Sequence, residues 1–143
     1  MLVTRETDYA VRTILYLAKD PNHLASATDI AKAMQIPKSF LAKILQRLVR
    51  SRILTSSRGA SGGFQLAQLP SEISLLQIME TVQGPACINV CAVDKRRCGL
   101  SDNCMVHPIW LKMREEVEAR LRDQTIDKLI GPSAHDSEKM NTQ

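Results

Sequence analysis

The spacing of apolar residues along the chain predicts a mostly helical protein. Over residues 4–19 apolar positions recur every three or four residues, which is the period of an amphipathic helix, and Thr4 is placed to cap its N-terminus. The same period predicts further helices over residues 27–34, 39–52, 74–82 and 108–122, with a short continuation over residues 126–130. Residues 131–143 are polar and aperiodic, which predicts a disordered tail.

The middle of the chain combines two of these helices with a short β-hairpin. A tight turn over residues 35–38 joins the helices, and the second one carries lysine, arginine and glutamine on its polar side. Two β-prone runs, residues 53–57 and 64–67, then flank a Gly-rich basic segment. The expected fold class is therefore mainly α with a small β-hairpin, arranged as a winged helix-turn-helix domain plus a long C-terminal dimerisation helix.

The basic residues are concentrated in this middle segment. The whole chain has a net charge of +4, but residues 27–66 contain a single acid, Asp29. The basic residues of the same window are Lys32, Lys38, Lys43, Arg47, Arg50, Arg52 and Arg58. Such a basic segment on a slightly acidic remainder predicts nucleic-acid binding, and it is too one-sided for ordinary solvated helix faces.

The length of 143 residues fits one domain with an appended element. The expected organisation is a DNA-binding domain over residues 1–82, a cysteine-rich loop over residues 83–104, and a dimerisation helix with its continuation over residues 105–130. Too little sequence remains to cover the apolar stripe of the long helix within one chain, which favours a homodimer. Paired winged helices would bind a pseudo-palindromic double-stranded DNA operator.

The sequence predicts a cytoplasmic protein with no membrane partner. No apolar run is long enough to span a bilayer, and Arg5, Glu6 and Asp8 interrupt the N-terminus where a signal peptide would need apolar residues. In the cytoplasm, clustered cysteines stay reduced and more often bind metal or sense redox state than form structural disulfides.

All four cysteines lie between residues 87 and 104, with the spacing Cys87-x3-Cys91-x6-Cys98-x5-Cys104. Only the first pair has the short spacing that is usual in structural zinc sites. Thiolates separated by gaps of five or six residues suit an iron–sulfur cluster, because several metal ions need ligands from spread directions. From spacing alone an iron–sulfur cluster, a zinc ion and a thiol switch remain comparable alternatives.

Four sequence segments stand in a characteristic order over roughly residues 1–130: L-V-T-R-E-T-D-Y-A-V-R, S-F-L-A-K-I-L-Q-R-L, S-R-G-A-S-G-G-F-Q-L and C-M-V-H-P-I-W. In these segments the chain resembles the Rrf2 family of bacterial regulators, which includes iron–sulfur-sensing repressors. The resemblance implies that three loop cysteines hold a [2Fe–2S] or [4Fe–4S] cluster. Carried over to this chain, the thiolate ligands are Cys91, Cys98 and Cys104.

The fourth ligand of such a cluster varies within the family, and three residues are candidates. His107 stands where one branch has a histidine ligand, with a helix N-cap before Pro108 as the competing interpretation. Asp8 stands where another branch donates a carboxylate from the partner subunit, although an acid in the first turns of a helix is also favourable without any ligand. Cys87 is an additional cysteine that could be a ligand, a resolving thiol or a small buried side chain.

The resemblance also implies a set of DNA contacts. These are Ser39, Lys43 and Arg47 on the second helix of the helix-turn-helix, with Arg58 and Gly59 in the wing. Ala42 departs from relatives that carry a glutamate at this position. In those relatives the glutamate restricts DNA choice when the cluster is absent, so that restriction is not expected here.

The sequence therefore predicts a transcriptional regulator, in particular a repressor, whose DNA affinity is controlled by an iron–sulfur cluster that senses cluster supply, redox state or nitric oxide. A cluster-free regulator that depends on zinc or thiol oxidation is the alternative in the same class. An iron–sulfur electron-transfer protein is a weaker alternative, because no flavin or nucleotide motif is present. No enzyme activity is expected, since Cys104 and His107 lack a third group that would orient them as a catalytic pair.

Overall fold

The computed structural model describes residues 2–131, so the predicted tail lies outside the described residues except for Gly131. The described part contains seven α-helices and a two-stranded antiparallel hairpin, which confirms the predicted fold class. The elements in chain order are α1 Arg5–Ala18, α2 Ala27–Met34, α3 Lys38–Arg50, β1 Leu54–Ser57, β2 Gly63–Leu66, α4 Leu75–Val82, α5 Val90–Val93, α6 His107–Asp123 and α7 Ile126–Ile130.

A hydroxyl side chain caps the N-terminus of α1, α2 and α4. The hydroxyl of Thr4 accepts a hydrogen bond from Thr7 N at 3.2 Å, and that of Ser26 accepts one from Asp29 N at 3.1 Å. The hydroxyl of Ser74 accepts in the same way from Gln77 N at 3.1 Å. Such caps satisfy backbone N–H groups that the first helical turn leaves without partners. These residues therefore set the starts of α1, α2 and α4.

The wing is a hairpin that a third segment extends. Its register runs from Leu54 opposite Leu66 to Ser57 opposite Gly63. Ala25 and Phe64 exchange two backbone hydrogen bonds, Ala25 N to Phe64 O at 3.1 Å and Phe64 N to Ala25 O at 2.8 Å. This close approach requires a glycine beside Phe64, because a Cβ on Gly63 would lie 2.6 Å from the carbonyl oxygen of Ala25. The wing is thereby fixed to the segment that precedes α2.

One aliphatic core holds α1 to α4, the base of the wing and α7 together. Its largest fully buried side chains are mainly isoleucine and leucine, as expected for a chain with few aromatic residues. They are Ile14, Ile30, Leu41, Ile44, Leu48, Ile53, Leu54, Ile73, Ile78 and Ile126. Burial of such side chains contributes roughly 1.5–3 kcal/mol each before chain entropy is counted.

The sequence predicted α7 as a continuation of the long helix. In the structure α7 instead turns back onto the core. Gln124 has an extended backbone with φ −89° and ψ 95°, which ends α6. Its carbonyl accepts from Leu75 N at 2.9 Å, and Ile126 N donates to Ile73 O at 2.9 Å. Ile126 is fully buried, and α7 packs on α1. The boundaries of the three predicted domains stay a prediction.

The long helix α6 leaves most of its apolar residues uncovered. His107 is its one buried residue, whereas Ile109, Leu111 and Met113 are exposed by 55%, 39% and 41%. Within residues 2–131 no other segment covers this surface, which supports the predicted pairing with a second copy. None of the helices in this described part is both long enough and apolar enough to cross a membrane.

Candidate DNA-binding surface and candidate metal centre

One side of α3 is exposed and polar. At about 100° per helical residue, five exposed residues fall within an arc of about 100°. They are Ser39, Ala42, Lys43, Gln46 and Arg50. The opposite side is buried through Leu41, Ile44, Leu45 and Leu48. An exposed helix side with cations and an amide is what entry into a DNA major groove requires.

Arg47 lies at the edge of this side and is bonded within the chain. One nitrogen of its guanidinium donates to the carbonyl oxygen of Val82 at 2.7 Å and to Glu6 Oε2 at 3.0 Å. The predicted contact set included Arg47 but omitted Gln46 and Arg50, which share the side of Ser39 and Lys43. Their spacing of seven and eleven residues from Ser39 was the signal that could have identified them.

The tip of the wing presents Arg58 and Gly59 to solvent. Gly59 has φ +103°, a left-handed conformation that favours glycine, and its carbonyl accepts from Gly62 N at 3.0 Å. A Cβ on Gly59 would meet nothing within 4 Å, so the tip is open around this residue. The tip therefore offers a cation and exposed backbone together, which suits contact with a phosphate backbone or a narrow groove.

Asp8 is exposed on α1 and forms an ion pair with Arg12 at 2.7 Å. The guanidinium of Arg12 also lies over the ring of Tyr9, 5.5 Å from its centroid, and Tyr9 packs edge-on against Phe40 of α3. Within the described residues the carboxylate of Asp8 thus serves an intrahelical pair. The predicted ligand role across a dimer stays a prediction.

The four cysteines are free thiols with different exposure. Cys91 lies on α5 and is buried, Cys98 and Cys104 are half-buried, and Cys87 is exposed. Cys98 directly follows a 3-10 turn, Lys95–Arg97. No group of three or more cysteine, histidine, aspartate and glutamate side chains in residues 2–131 is arranged to hold a single metal ion. The cysteine loop therefore differs from a closed zinc site, in which four ligands converge on one ion.

Two of the three basic residues between Cys91 and Cys98 are paired with acids of the same loop. Lys95 forms an ion pair with Asp102, and Arg96 Nε donates to Asp94 Oδ1 at 3.1 Å. The hydrogen bond from the Arg96 side chain, then that from its backbone N–H, lowers the pKa of Asp94 below its ordinary value. The hydrogen bond and charge of Lys95 lower the pKa of Asp102 in the same way. Two of the three basic charges are thus paired within the loop itself.

His107 combines burial with an unpartnered ring nitrogen. Its residue is 7% exposed, and its Nδ1 has no hydrogen-bond partner. The backbone N–H of His107 donates to Cys104 O at 3.3 Å, so the ring lies at the end of the cysteine loop. The helix cap is Val106, and no side chain makes a capping hydrogen bond there, so the N-cap interpretation of His107 does not account for its burial. A buried polar atom without a partner costs about 1–3 kcal/mol, which points to a ligand for this nitrogen.

The donor set of the loop therefore fits an iron–sulfur cluster chemically. Three free thiols and one unpartnered imidazole nitrogen stand on the same short stretch of chain, from Cys91 to His107. Thiolate sulfur and imidazole nitrogen are both known ligands of iron in such clusters. The ligands of a cluster bind different iron atoms and do not have to converge on one point.

Hydrogen bonds connect the loop to the helices on both sides. Arg114 of α6 donates to the carbonyl of Ala92, the residue after Cys91, at 2.7 Å, and to Glu118 at 2.8 Å. Before the loop, the Gln83 side-chain oxygen accepts from Thr4 N at 2.9 Å and from Thr7 Oγ1 at 2.7 Å. The Gln83 amide also donates to Leu2 O at 3.0 Å. The loop is thereby attached to both α6 and the N-terminus of α1.

Comparison with known sequences gives one family and several relatives. The sequence model of the Rrf2 family, described as an iron-dependent transcriptional regulator, matches residues 3–132. A helix-turn-helix transcriptional regulator of Aquifex aeolicus is 30% identical over 132 residues, which are 91% of this chain and 92% of the relative. The regulator NsrR of Geobacillus kaustophilus is 32% identical over 124 residues, with 85% and 82% of the two chains covered.

Solved structures with the same fold include two regulators at 21% identity. IscR of T. potens superposes with a TM-score of 0.74 and covers 100% of this chain and 93% of its own. CymR, the global cysteine regulator of B. subtilis, superposes with a TM-score of 0.76 over 91% of this chain and 96% of its own. At this identity the likeness shows the fold. The family model and the relatives in sequence are transcriptional regulators, which confirms the predicted class and the prediction that the chain is not an enzyme.

Proposed function

Because the chain belongs to the Rrf2 family of helix-turn-helix transcriptional regulators, we propose that it is a homodimeric repressor controlled by an iron–sulfur cluster. The dimer binds a pseudo-palindromic operator in the bacterial cytoplasm. The state of the cluster sets its affinity for that DNA.

The observation that carries the proposal is the buried, unpartnered Nδ1 of His107 at the end of a loop with three free thiols. Cys91, Cys98 and Cys104 are the thiolate ligands, and His107 is the fourth ligand. When bound, the cluster is the group that responds to the signal, since oxidants, nitric oxide or a change in iron–sulfur supply would alter it or remove its iron. The other two candidates for the fourth position are less suitable, since Asp8 already pairs with Arg12 and Cys87 is exposed.

The DNA-binding part of the proposal places the exposed side of α3 in the major groove. Ser39, Lys43, Gln46 and Arg50 contact base edges and phosphates, and Arg58 with Gly59 contacts the backbone or the minor groove beside them. The exposed apolar residues of α6 pair the two subunits, so that two α3 helices face successive half-sites. Arg47 belongs to the predicted contact set as well, but its bonds to Val82 and Glu6 favour a different role, which is argued below.

Anaerobic purification followed by iron and sulfide assays and visible spectroscopy tests the cluster. We expect a coloured protein with matched iron and sulfide, and loss of the colour in Cys98→Ala. His107→Ala should retain a cluster that is lost faster in air, because one ligand is missing. Cys87→Ala serves as the control and should keep its iron content. Colourless, iron-free protein from oxygen-free preparation would contradict the proposal.

Binding to a palindromic duplex, measured with and without the cluster over a range of salt concentrations, tests the regulatory part. An iron–sulfur electron carrier would show no specific, salt-dependent DNA binding. A regulator should lose affinity steeply as salt rises, because cations on α3 and the wing release counterions from the DNA.

A regulator that responds through a thiol or a zinc ion is the second candidate. The exposure of the Cys87 thiol favours it, because an accessible thiol is the kind that oxidants reach. Stoichiometric zinc in a colourless protein, or DNA binding that reversible oxidation changes in wild type but not in Cys87→Ala, would replace the cluster proposal with this one.

A further inference from the structure

The C-terminal end of α4 is a junction between the recognition helix, the first turn of α1 and the cysteine loop. Val82, the last residue of α4, accepts a hydrogen bond from Arg47 of α3 at 2.7 Å. The next residue, Gln83, holds Thr4 N and Thr7 Oγ1 of α1 with its side-chain oxygen. Gly84 then begins the loop with φ +90°. Three parts of the molecule therefore meet at two consecutive residues.

The chemistry of this junction explains why an arginine is present at position 47. The last carbonyl groups of a helix have no partner within the helix and carry partial negative charge. A guanidinium that donates to the Val82 carbonyl satisfies such a group and complements the end of α4. The same nitrogen also donates to Glu6 of α1, whose side chain is 38% exposed, so the ion pair itself contributes little. The hydrogen bond from Arg47 to the Val82 carbonyl of α4 is thus the contact that accounts for an arginine at position 47.

The cysteine loop has a second connection to α4, which runs through α6. Arg114 holds α6 to the carbonyl of Ala92 on α5, and α6 packs against α4. The loop between residues 84 and 104 is therefore connected to α4 both along the chain and through α6. Through Arg47 and Gln83, the end of α4 is in turn bonded to α3 and to the start of α1.

We propose that Arg47 and Gln83 are positioning residues that couple the state of the cysteine loop to the orientation of the recognition helix. The inference rests on the proposed function, since it needs a loop whose state matters for DNA binding. It assigns Arg47 to this relay between helices instead of the DNA contact that the family resemblance implied. It assigns Gln83, which no DNA-contact pattern includes, to the same relay.

The decisive measurement is a ratio of operator affinities. In each background, the affinity of the protein with an unchanged loop is divided by the affinity of the same protein that also carries Cys98→Ala. In the wild-type background this ratio should be at least about 10-fold, within the usual range of coupling between two sites. Gln83→Leu, which removes all three hydrogen bonds of the side chain, should bring the ratio close to one. Gln83→Glu keeps both acceptor bonds to α1 and loses only the donor bond to Leu2, so most of the ratio should remain.

Arg47→Met and Lys43→Ala provide a matched pair on the same helix. Arg47→Met should collapse the ratio and leave the salt dependence of binding unchanged, because its charge does not contact phosphate. Lys43→Ala should lower affinity in both loop states equally, keep the ratio, and reduce the salt slope by about 1. Thermal unfolding of each variant establishes that it is folded before its affinity is compared.

The outcomes separate the two proposals. A wild-type ratio near one would overturn the proposed function, and the relay with it. A large wild-type ratio that persists in Gln83→Leu and Arg47→Met would overturn the relay alone. A reduced salt slope in Arg47→Met would return Arg47 to the set of DNA contacts and also contradict the relay. If Gln83→Leu does not fold, Arg47→Met against Gln83→Glu decides the question.

Discussion

At the scale of single residues, His107 carries a cost that its neighbours do not relieve. Its Nδ1 is buried without a hydrogen-bond partner, which is unfavourable in a protein without a bound ligand. We predict that His107→Leu increases the free energy of unfolding of the iron-free protein by about 1 kcal/mol, because leucine has no polar atom to desolvate. Urea unfolding of iron-free wild type and variant measures this difference.

The same substitution should lower the retention of iron in air, so stability and ligand binding change in opposite directions. Residues that serve binding at the expense of stability commonly behave this way. A His107→Leu variant that is destabilised like a truncated core residue would show that the ring packs for structural reasons only.

Asp94 gives a prediction about pH at the same scale. Its pKa lies below the ordinary value because Arg96 donates to it from both the side chain and the backbone. The contribution to stability is therefore fully present above the ordinary pKa of about 3.9 and is lost as pH falls through the lower folded pKa. We expect the carboxyl resonance of Asp94 to titrate below that of a model peptide, and Arg96→Met to move its pKa upward. An unchanged pKa in Arg96→Met would contradict the assigned cause.

At the scale of elements, the attachment of α5 to α6 depends on one arginine. Arg114 is 26% exposed and donates to both Ala92 O and Glu118. We predict that Arg114→Met increases the amide hydrogen exchange of residues 90–93, because the short α5 has few other bonds to the long helix. Glu118→Gln is the control, since it keeps an acceptor for Arg114 and leaves the bond to Ala92. Equal exchange in Arg114→Met and wild type would remove this link between loop and helix.

The elements also show which features local sequence predicts and which it does not. The cap Thr4 was predicted correctly, because a cap needs only the residue itself and the N–H groups that follow it. The reversal of α7 was missed, because apolar spacing describes the side of a helix that is buried but not the direction in which the chain continues. The orientation of Arg47 was missed for a related reason, since its partners Val82 and Glu6 are remote in sequence.

At the site, the sequence supplied the donor atoms but not their arrangement. The spacing of the cysteines and the family resemblance named Cys91, Cys98 and Cys104, and left His107, Asp8 and Cys87 as candidates for a fourth ligand. The structure adds that His107 is buried and that Cys87 is exposed. Burial depends on how α5 and α6 pack together, which local patterns do not determine. The pairing of Lys95 with Asp102 was unpredictable for the same reason.

At the scale of the whole molecule, α6 predicts the state of assembly. Ile109 and Met113 lie one turn apart and are exposed by 55% and 41%. We expect the wild type to sediment as a dimer, and Ile109→Glu combined with Met113→Glu to shift it toward monomer, because charges would be buried in an apolar interface. Ala119→Glu adds the same carboxylate away from this stripe and should leave the dimer intact. A monomeric wild type at micromolar concentration would contradict the proposed pairing.

The hydrogen bonds between residues 73–75 and 124–126 have a further consequence for how such regulators diversify. The segment between the end of α4 and Thr125 leaves the core and then rejoins it. The Ser74–Thr125 bridge holds the point at which it rejoins. Mutations in a segment that is anchored at both ends can replace one sensing chemistry with another while the DNA-binding core keeps its own packing. Regulators with this fold can thus respond to different signals when the segment between α4 and Thr125 is replaced, provided that each new segment is attached to the core at the same two points.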